Sequence, residues 1–358
     1  MNTDDAILPE LTRRQEEILS CIVRAYTDAP EPISSKSLVE KYNLPFSSAT
    51  IRNEMVVLDE LGYITAPHTS AGRIPTENGY RYFVKRLITS GEISSIEKSH
   101  MSDRLKAIPL ASEQWMLLVA TMLARTSHVA ALVTPPVADT SRFKHIELIA
   151  IQGRLVLMVL VLQGGSVQQQ MLTLAEPIPQ VKLSEIAERI NVQFMDMSAK
   201  EMRVRSVQMN LLEREVSELA ADSMDKADTN EVRLIYRNGL SEVLGMFQNS
   251  EGAQQAVRVF EERAFLNLIL NDVLTPLVNS VQVVIAGNGR WEELSHLSMV
   301  LSRYGIPGQI SGAVGVLGPT RINYGRAISA VSYVSGLMTD MLTDVYENLP
   351  PGESQPDS

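Results

Sequence analysis

The sequence predicts a multidomain α+β chain: an N-terminal module of helices and a hairpin, a larger domain containing a sheet, and a mainly helical block inserted into that domain. Three observations predict it. Residues 11–76 carry three amphipathic helical patterns with clean start signals, then two short strand-like runs. Four strand-like runs with glycine turns occupy residues 129–174. Helical period then dominates residues 181–275, and strand pattern resumes at Val281–Ala286.

The first helix starts at Thr12-Arg-Arg-Gln15, a capping box in which Thr12 and Gln15 satisfy each other's orphan amides. Ile18, Leu19, Ile22 and Val23 repeat at helical spacing to about Tyr26, and Asp28-Ala-Pro-Glu-Pro32 stops the helix. Ser34 or Ser35 caps a short second helix containing Leu38 and Val39. Pro45 disfavours helix at Leu44, so Asn43–Phe46 is a turn. A third helix runs from Ser47 or Ser48 to Leu61, where Gly62 can supply a left-handed cap. Helix, short helix, turn, helix is the helix-turn-helix layout.

The third helix divides its labour. Ile51, Met55 and Leu58 form an apolar stripe, while Ser47, Ser48, Thr50, Arg52 and Asn53 crowd its first two turns with hydrogen-bonding side chains. An ordinary capped amphipathic helix would look the same; the neighbouring segments decide in favour of a helix that presents its N-terminal end to base edges and phosphates. Tyr63–Thr76 reads as strand, polar loop, strand, and its loop from His68 to Arg73 holds small polar residues, one glycine and one cation. A hairpin after a recognition helix is a wing. A further helix from Thr76 carries Tyr80, Tyr82, Phe83, Lys85 and Arg86, completing a winged helix. The expected DNA-contacting residues are Ser47, Ser48, Thr50, Arg52 and Asn53 for bases, one or two of them facing inward or acting as caps. His68, Thr69, Ser70 and Arg73 are expected on the sugar-phosphate backbone. Lys36, Arg81, Lys85 and Arg86 are further candidates for the cationic surface.

Beyond it, a linker helix begins near Ser94 and breaks before Pro109, and a buried helix covers Trp115 to Ala124. Val129–Val133, His145–Ile151, Leu155–Leu162 and Val167–Leu174 read as strands, with hairpin turns at Gln152-Gly153 and Gln163-Gly-Gly165. Val232–Tyr236 is one strand-like run in the helical block, and a long apolar helix covers Tyr324 to Leu342.

This chain resembles the HrcA family of heat-inducible transcription repressors. The resemblance rests on Leu11-Thr-Arg-Arg-Gln15, Ser47-Ser-Ala-Thr-Ile-Arg-Asn-Glu-Met55, Leu58-Asp-Glu-Leu-Gly-Tyr63, His68-Thr-Ser-Ala-Gly-Arg-Ile-Pro-Thr76, Gly79-Tyr-Arg-Tyr-Phe83 and Gly315-Val-Leu-Gly-Pro-Thr-Arg-Ile-Asn-Tyr324. It implies a winged-helix domain at 1–87, a linker helix at 88–110, a GAF-like α+β domain in two segments at 111–181 and 276–345, an inserted dimerisation domain at 182–275, and a disordered tail at 346–358. It also implies a homodimer that represses chaperone operons from an inverted-repeat operator (the CIRCE element), assisted by the GroEL chaperonin. Gly287-Asn-Gly-Arg290 departs from the family's Gly-x-Glu-Asn pattern.

Composition narrows the alternatives. A net charge of −10 over 358 residues argues against broad affinity for nucleic acid. Residues 11–86 hold ten Lys and Arg against nine Asp and Glu, so DNA affinity must come from a small cationic surface, from base readout and from dimerisation. One cysteine, Cys21, excludes a disulfide framework within the chain. The polar start carries no signal peptide pattern, and the apolar run Leu155–Leu162 is far short of a membrane span, so a cytoplasmic protein is expected. None of the five histidines pairs with another at helical spacing, and no nucleophile elbow occurs, so neither an enzyme nor a cofactor is expected. Ala286-Gly-Asn-Gly-Arg290 lacks a phosphate-binding pattern and reads as a turn. Gly315–Arg321 reads as a strand leaving a sheet, with a helix after it capped by Thr320 or Asn323. A regulator that senses a small molecule through its GAF-like domain is the alternative function.

Overall fold

The computed structural model describes residues 9–68, 72–88, 93–110, 112–138, 141–163, 167–230, 234–247, 250–275 and 277–347. They fall into two compact units. The first comprises residues 1–136, 233–306 and 312–358; the second, residues 137–232 and 307–311.

The first unit begins with the expected winged helix. Helices α1 (Arg13–Asp28), α2 (Ser35–Tyr42) and α3 (Ser48–Glu60) precede the two-residue strands β1 (Ile64–Thr65) and β2 (Ile74–Pro75), paired antiparallel. The Thr12–Gln15 capping box forms, and Gly62 adopts φ +78° after α3, a conformation that costs glycine nothing. Ile18, Leu19 and Ile22 of α1 are buried with Ile51, Met55 and Leu58 of α3. Glu54 ties the two helices from outside, accepting from Arg14 and Gln15 at 3.1 Å each.

Helix α4 (Glu77–Tyr82), capped by Thr76, continues as a wider turn over Phe83–Leu87. It lies so close to the hairpin that a Cβ on Gly79 would stand 2.1 Å from the Tyr63 carbonyl oxygen. Gly79→Ala therefore forces α4 away from β1. We expect a loss of about 1–3 kcal/mol or more, by analogy with overpacked cores, read by chemical denaturation; an unchanged midpoint would refute this account of the contact.

Helix α5 (Ser95–Lys106) forms where a helix from Ser94 was expected. Its Glu97 accepts from the Ser94 backbone N–H and hydroxyl and, at 2.6 Å, from Arg326, which together hold its carboxyl down to about 2. Helix α6 (Glu113–Ser127), with Trp115 fully buried, leads into strand β3 (Ala130–Val133).

The chain then enters the second unit. Strand β4 (Val137–Ala138) pairs with Ile310–Ser311, and β5 (Phe143–Gln152), β6 (Leu155–Leu162) and β7 (Val167–Thr173) form an antiparallel meander. Helices α7 (Gln180–Phe194), α8 (Ala199–Ser206) and α9 (Leu211–Asn230) follow. Leu183, Ile186, Ile190 and Phe194 of α7 share a core with Ile146, Leu148, Met158 and Leu160. Helix α7 also blunts the β5 edge. Asn191 accepts from the Ile146 N–H and donates to its carbonyl, and Gln180 does the same for the Ala150 N–H and the Leu148 carbonyl.

Further along the chain come β8 (Tyr236–Asn238), α10 (Leu240–Leu244), α11 (Ser250–Glu261), α12 (Arg263–Val273), β9 (Val281–Ile285), β10 (Leu297–Ile306), β11 (Ile310–Pro319) and α13 (Tyr324–Glu347), all in the first unit but for the start of β11. The sheet order is β8-β3-β11-β10-β9. Helices α6 and α13 pack together, and α13 lies against β10. Asn323 caps α13 through the Arg326 N–H at 2.9 Å, one of the two caps expected. The expected tail falls mostly outside the described residues, which end at 347.

The compact units are cut differently from the expected inserted block. The inserted block was placed at 182–275, with the meander in the surrounding domain. The compact unit instead runs from 137 to 232, and residues 234–275 return to the first unit. The meander buries one face under α7 and shares a core with the helices that follow it.

Candidate nucleic-acid interface

Helix α3 is anchored by one stripe and bare on the other. Ser47 is its N-cap, with φ −68° and ψ 152°; its Oγ accepts from the Thr50 N–H at 3.1 Å and lies 2.9 Å from Thr50 Oγ1. These two expected readers occupy each other and shape the helix start. Ser48, Arg52 and Asn53 remain exposed, and no acid stands in the first turn. Arg52 has no ion-pair partner among the described residues. A positive helix terminus, a free guanidinium, a carboxamide and a hydroxyl on one surface suit phosphates and base edges. Two exposed residues on the same surface, Ala49 and Val56, have no polar group and were not among the sequence candidates.

The surrounding pieces are tied to this helix. Arg73, at the base of the wing, forms a bridge with Ile33 through both backbone pairs, at 2.9 and 2.8 Å, which joins the wing to the segment before α2. Its Nε stands 2.9 Å from Asp59 of α3, an ion pair without hydrogen-bond alignment. Arg73 thus clamps wing to helix while its side chain stays about a quarter exposed. His68 is exposed; Thr69 and Ser70 lie outside the described residues. Lys36 is exposed on α2, 3.9 Å from Glu40. Arg81 does not join this surface. It donates to the Ile285 carbonyl at 3.3 Å and pairs with Glu77, and the neighbouring Tyr80 ring meets Tyr324 at 5.7 Å. Helix α4 therefore faces the sheet domain, and its cation serves that contact.

Other candidate chemistry reads as structure. Burial pushes the Cys21 thiol up to about 11, which keeps it protonated and unreactive at neutral pH. Ala286, Gly287, Asn288 and Gly289 all adopt positive φ, and Asn288 Oδ1 accepts from the Ile285 N–H at 3.0 Å, so the turn closes on itself. Among the described residues no group of three His, Cys, Asp or Glu side chains is placed to hold a metal, and no helix is long and apolar enough to cross a membrane. A half-open cleft of about 280 Å³ is lined by Arg24, Thr27, Asp28, Lys41, Tyr42 and Asn323, among others.

Comparison with known proteins agrees with this geometry. Residues 10–87 match the family model described as "Winged helix-turn-helix transcription repressor, HrcA DNA-binding", and residues 113–328 match "HrcA protein C terminal domain". The chain is 38% identical over 347 residues to the heat-inducible transcription repressor HrcA of Roseiflexus castenholzii, covering 94% of this chain and 96% of that one. It is 39% identical over 346 residues to the same-named protein of Herpetosiphon aurantiacus, covering 94% and 97%. A solved structure described only as a hypothetical protein at 2.2 Å resolution shares the fold, with a TM-score of 0.57, 23% identity, and coverage of 94% of this chain and 99% of that one.

Proposed function

The chain belongs to the HrcA family of heat-inducible transcription repressors with a winged-helix DNA-binding domain, and on that premise we propose that it binds an inverted-repeat (CIRCE) operator as a homodimer and silences chaperone operons. The observation that carries the reading is the exposed polar start of α3, where Ser48, Arg52 and Asn53 stand clear of the Ser47–Thr50 cap. A gel-shift titration on the inverted repeat and on a scrambled duplex of equal composition tests it. Preference for the repeat is expected; equal affinity for both duplexes would overturn the reading.

The wing supplies backbone contacts in this proposal. Arg73→Ala is expected to weaken all sequences alike and to lower the salt slope by roughly one per bound wing. Because Arg73 also holds Asp59, Arg73→Lys serves as the control that keeps the charge. A loss confined to the operator would assign the wing to base reading instead.

The homodimer rests on two supports. A winged helix with a charge balance near +1 holds one half-site weakly, and a two-fold protein matches a two-fold operator. Within the second unit, the meander also has a face that α7 does not cover, with an apolar row across it. Ile149, Leu157 and Met171 line up across its three strands, and Ile149 and Met171 are 41% and 52% exposed. We assign dimerisation to that unit, residues 137–232. Assistance by the GroEL chaperonin, whose capture by heat-unfolded protein would lower the active repressor, is carried by family resemblance alone.

A second reading has a specific observation in its favour. The cleft beside Arg24 and Lys41 mixes cations, hydroxyls and apolar walls, close to the size of small-ligand sites, which begin at about 300 Å³. A thermal-shift screen with nucleotides and metabolites tests this sensor; a saturable shift that also changes operator affinity would establish it.

A further inference from the structure

We infer that Ala49 and Val56 are specificity-determining residues that read the 5-methyl groups of thymines in the operator. The inference rests on the reading of α3 proposed above as the helix that meets base edges, which a helix does in the major groove.

The two residues sit at the second and ninth positions of α3, one helical stripe apart, with Arg52 and Asn53 between them. All four are exposed. Val56 is 44% exposed. It stands outside the inward stripe, which Ile51, Met55 and Leu58 take. Val57, at 37%, is the other exposed valine of the helix, one position on and turned away from Arg52. Val56 instead follows Arg52 by four residues and Asn53 by three, so it shares their surface.

Chemistry identifies the target. The major groove offers hydrogen-bonding groups on every base pair and one apolar group, the thymine methyl. A helix entering it with Arg52 and Asn53 reads polar edges through those two, and its methyl-bearing neighbours have only the thymine methyl to meet without leaving a base edge unpaired. Ala49 reaches a base near the helix start, and Val56 reaches one further along the same groove.

The test uses the full chain and operator duplexes in which each thymine of both half-sites is replaced in turn by deoxyuridine, which lacks only the methyl. For the natural protein, one or two positions are expected to lose about fourfold in affinity per half-site, the worth of one buried methyl. In Val56→Thr, which keeps the shape and exchanges a methyl for a hydroxyl, one sensitive position is expected to become indifferent to the exchange. Ala49→Ser is expected to do the same at the other. Both variants are surface changes, and an unchanged melting temperature verifies their folding. The inference is overturned if no thymine responds in the natural protein, or if the variants stay as methyl-sensitive as the parent. Arg52→Ala and Asn53→Ala separate the two levels: if both keep full operator preference, the groove placement of α3 fails; if they lose preference while every deoxyuridine duplex binds the natural protein normally, only the methyl reading fails.

Discussion

Excising residues 137–232 is expected to leave a folded monomer whose operator affinity falls by about 10²–10⁴, the factor lost when two linked half-site contacts become one. The cut is structurally permitted. Val133 pairs with Tyr236 and Ala131 with Asn238, so the chain leaves and re-enters the large sheet on neighbouring strands. Strands paired that way lie only about 5 Å apart, and a turn of two to five residues can rejoin them. Sedimentation of the full and shortened chains, alongside operator titrations, reads the outcome. Residues 1–87 alone should share the binding defect. If the shortened protein remains a dimer, or binds the operator as tightly as the full chain, the interface lies in the first unit.

Arg52→Ala and Asn53→Ala are each expected to erase most of the preference for operator over scrambled DNA. A good bidentate base contact discriminates by about 1–3 kcal/mol, and a two-fold complex makes each contact twice. Both side chains are exposed on α3, so truncation leaves the fold intact. Binding to scrambled DNA should change less, since Asn53 carries no charge and Arg52 is one cation among several. Unchanged discrimination in both variants would remove α3 from the readout. Ser47→Ala should behave differently, weakening the helix start through the lost Thr50 contact without a matching change in base preference.

The N-terminal module was legible because its signals are local. The Thr12–Gln15 box, the Ser34 cap, the Ile51–Met55–Leu58 stripe and the left-handed Gly62 each lie within a few residues of what they control. The insertion boundary was not. Strands β5 to β7 alternate as any half-buried sheet does, and only the packing of α7 on β5 assigns them to a core. The same limit separates the site residues. Ser47 was foreseeable as a cap, but the Arg73–Asp59 clamp and the turning of Arg81 towards Ile285 depend on folded geometry. Val56 left a trace that could have been read. It is an apolar residue outside the core stripe of its helix, eight residues after Ser48.

The first unit is assembled from three separated stretches of chain, and this has a consequence at the ribosome. Ala131 of β3 pairs with Val316 of β11, about 185 residues later. At roughly 5–20 residues per second of synthesis, that partner arrives about 10–40 s after β3 has emerged. The whole of β3 is buried in the finished sheet, as is the Trp115 side chain of the helix before it. Until then both are apolar surface waiting for a distant segment, while the second unit, drawn almost entirely from one continuous stretch, can already close. A nascent repressor thus passes through a long sticky interval, in which sequestering the unfinished sheet competes with aggregation.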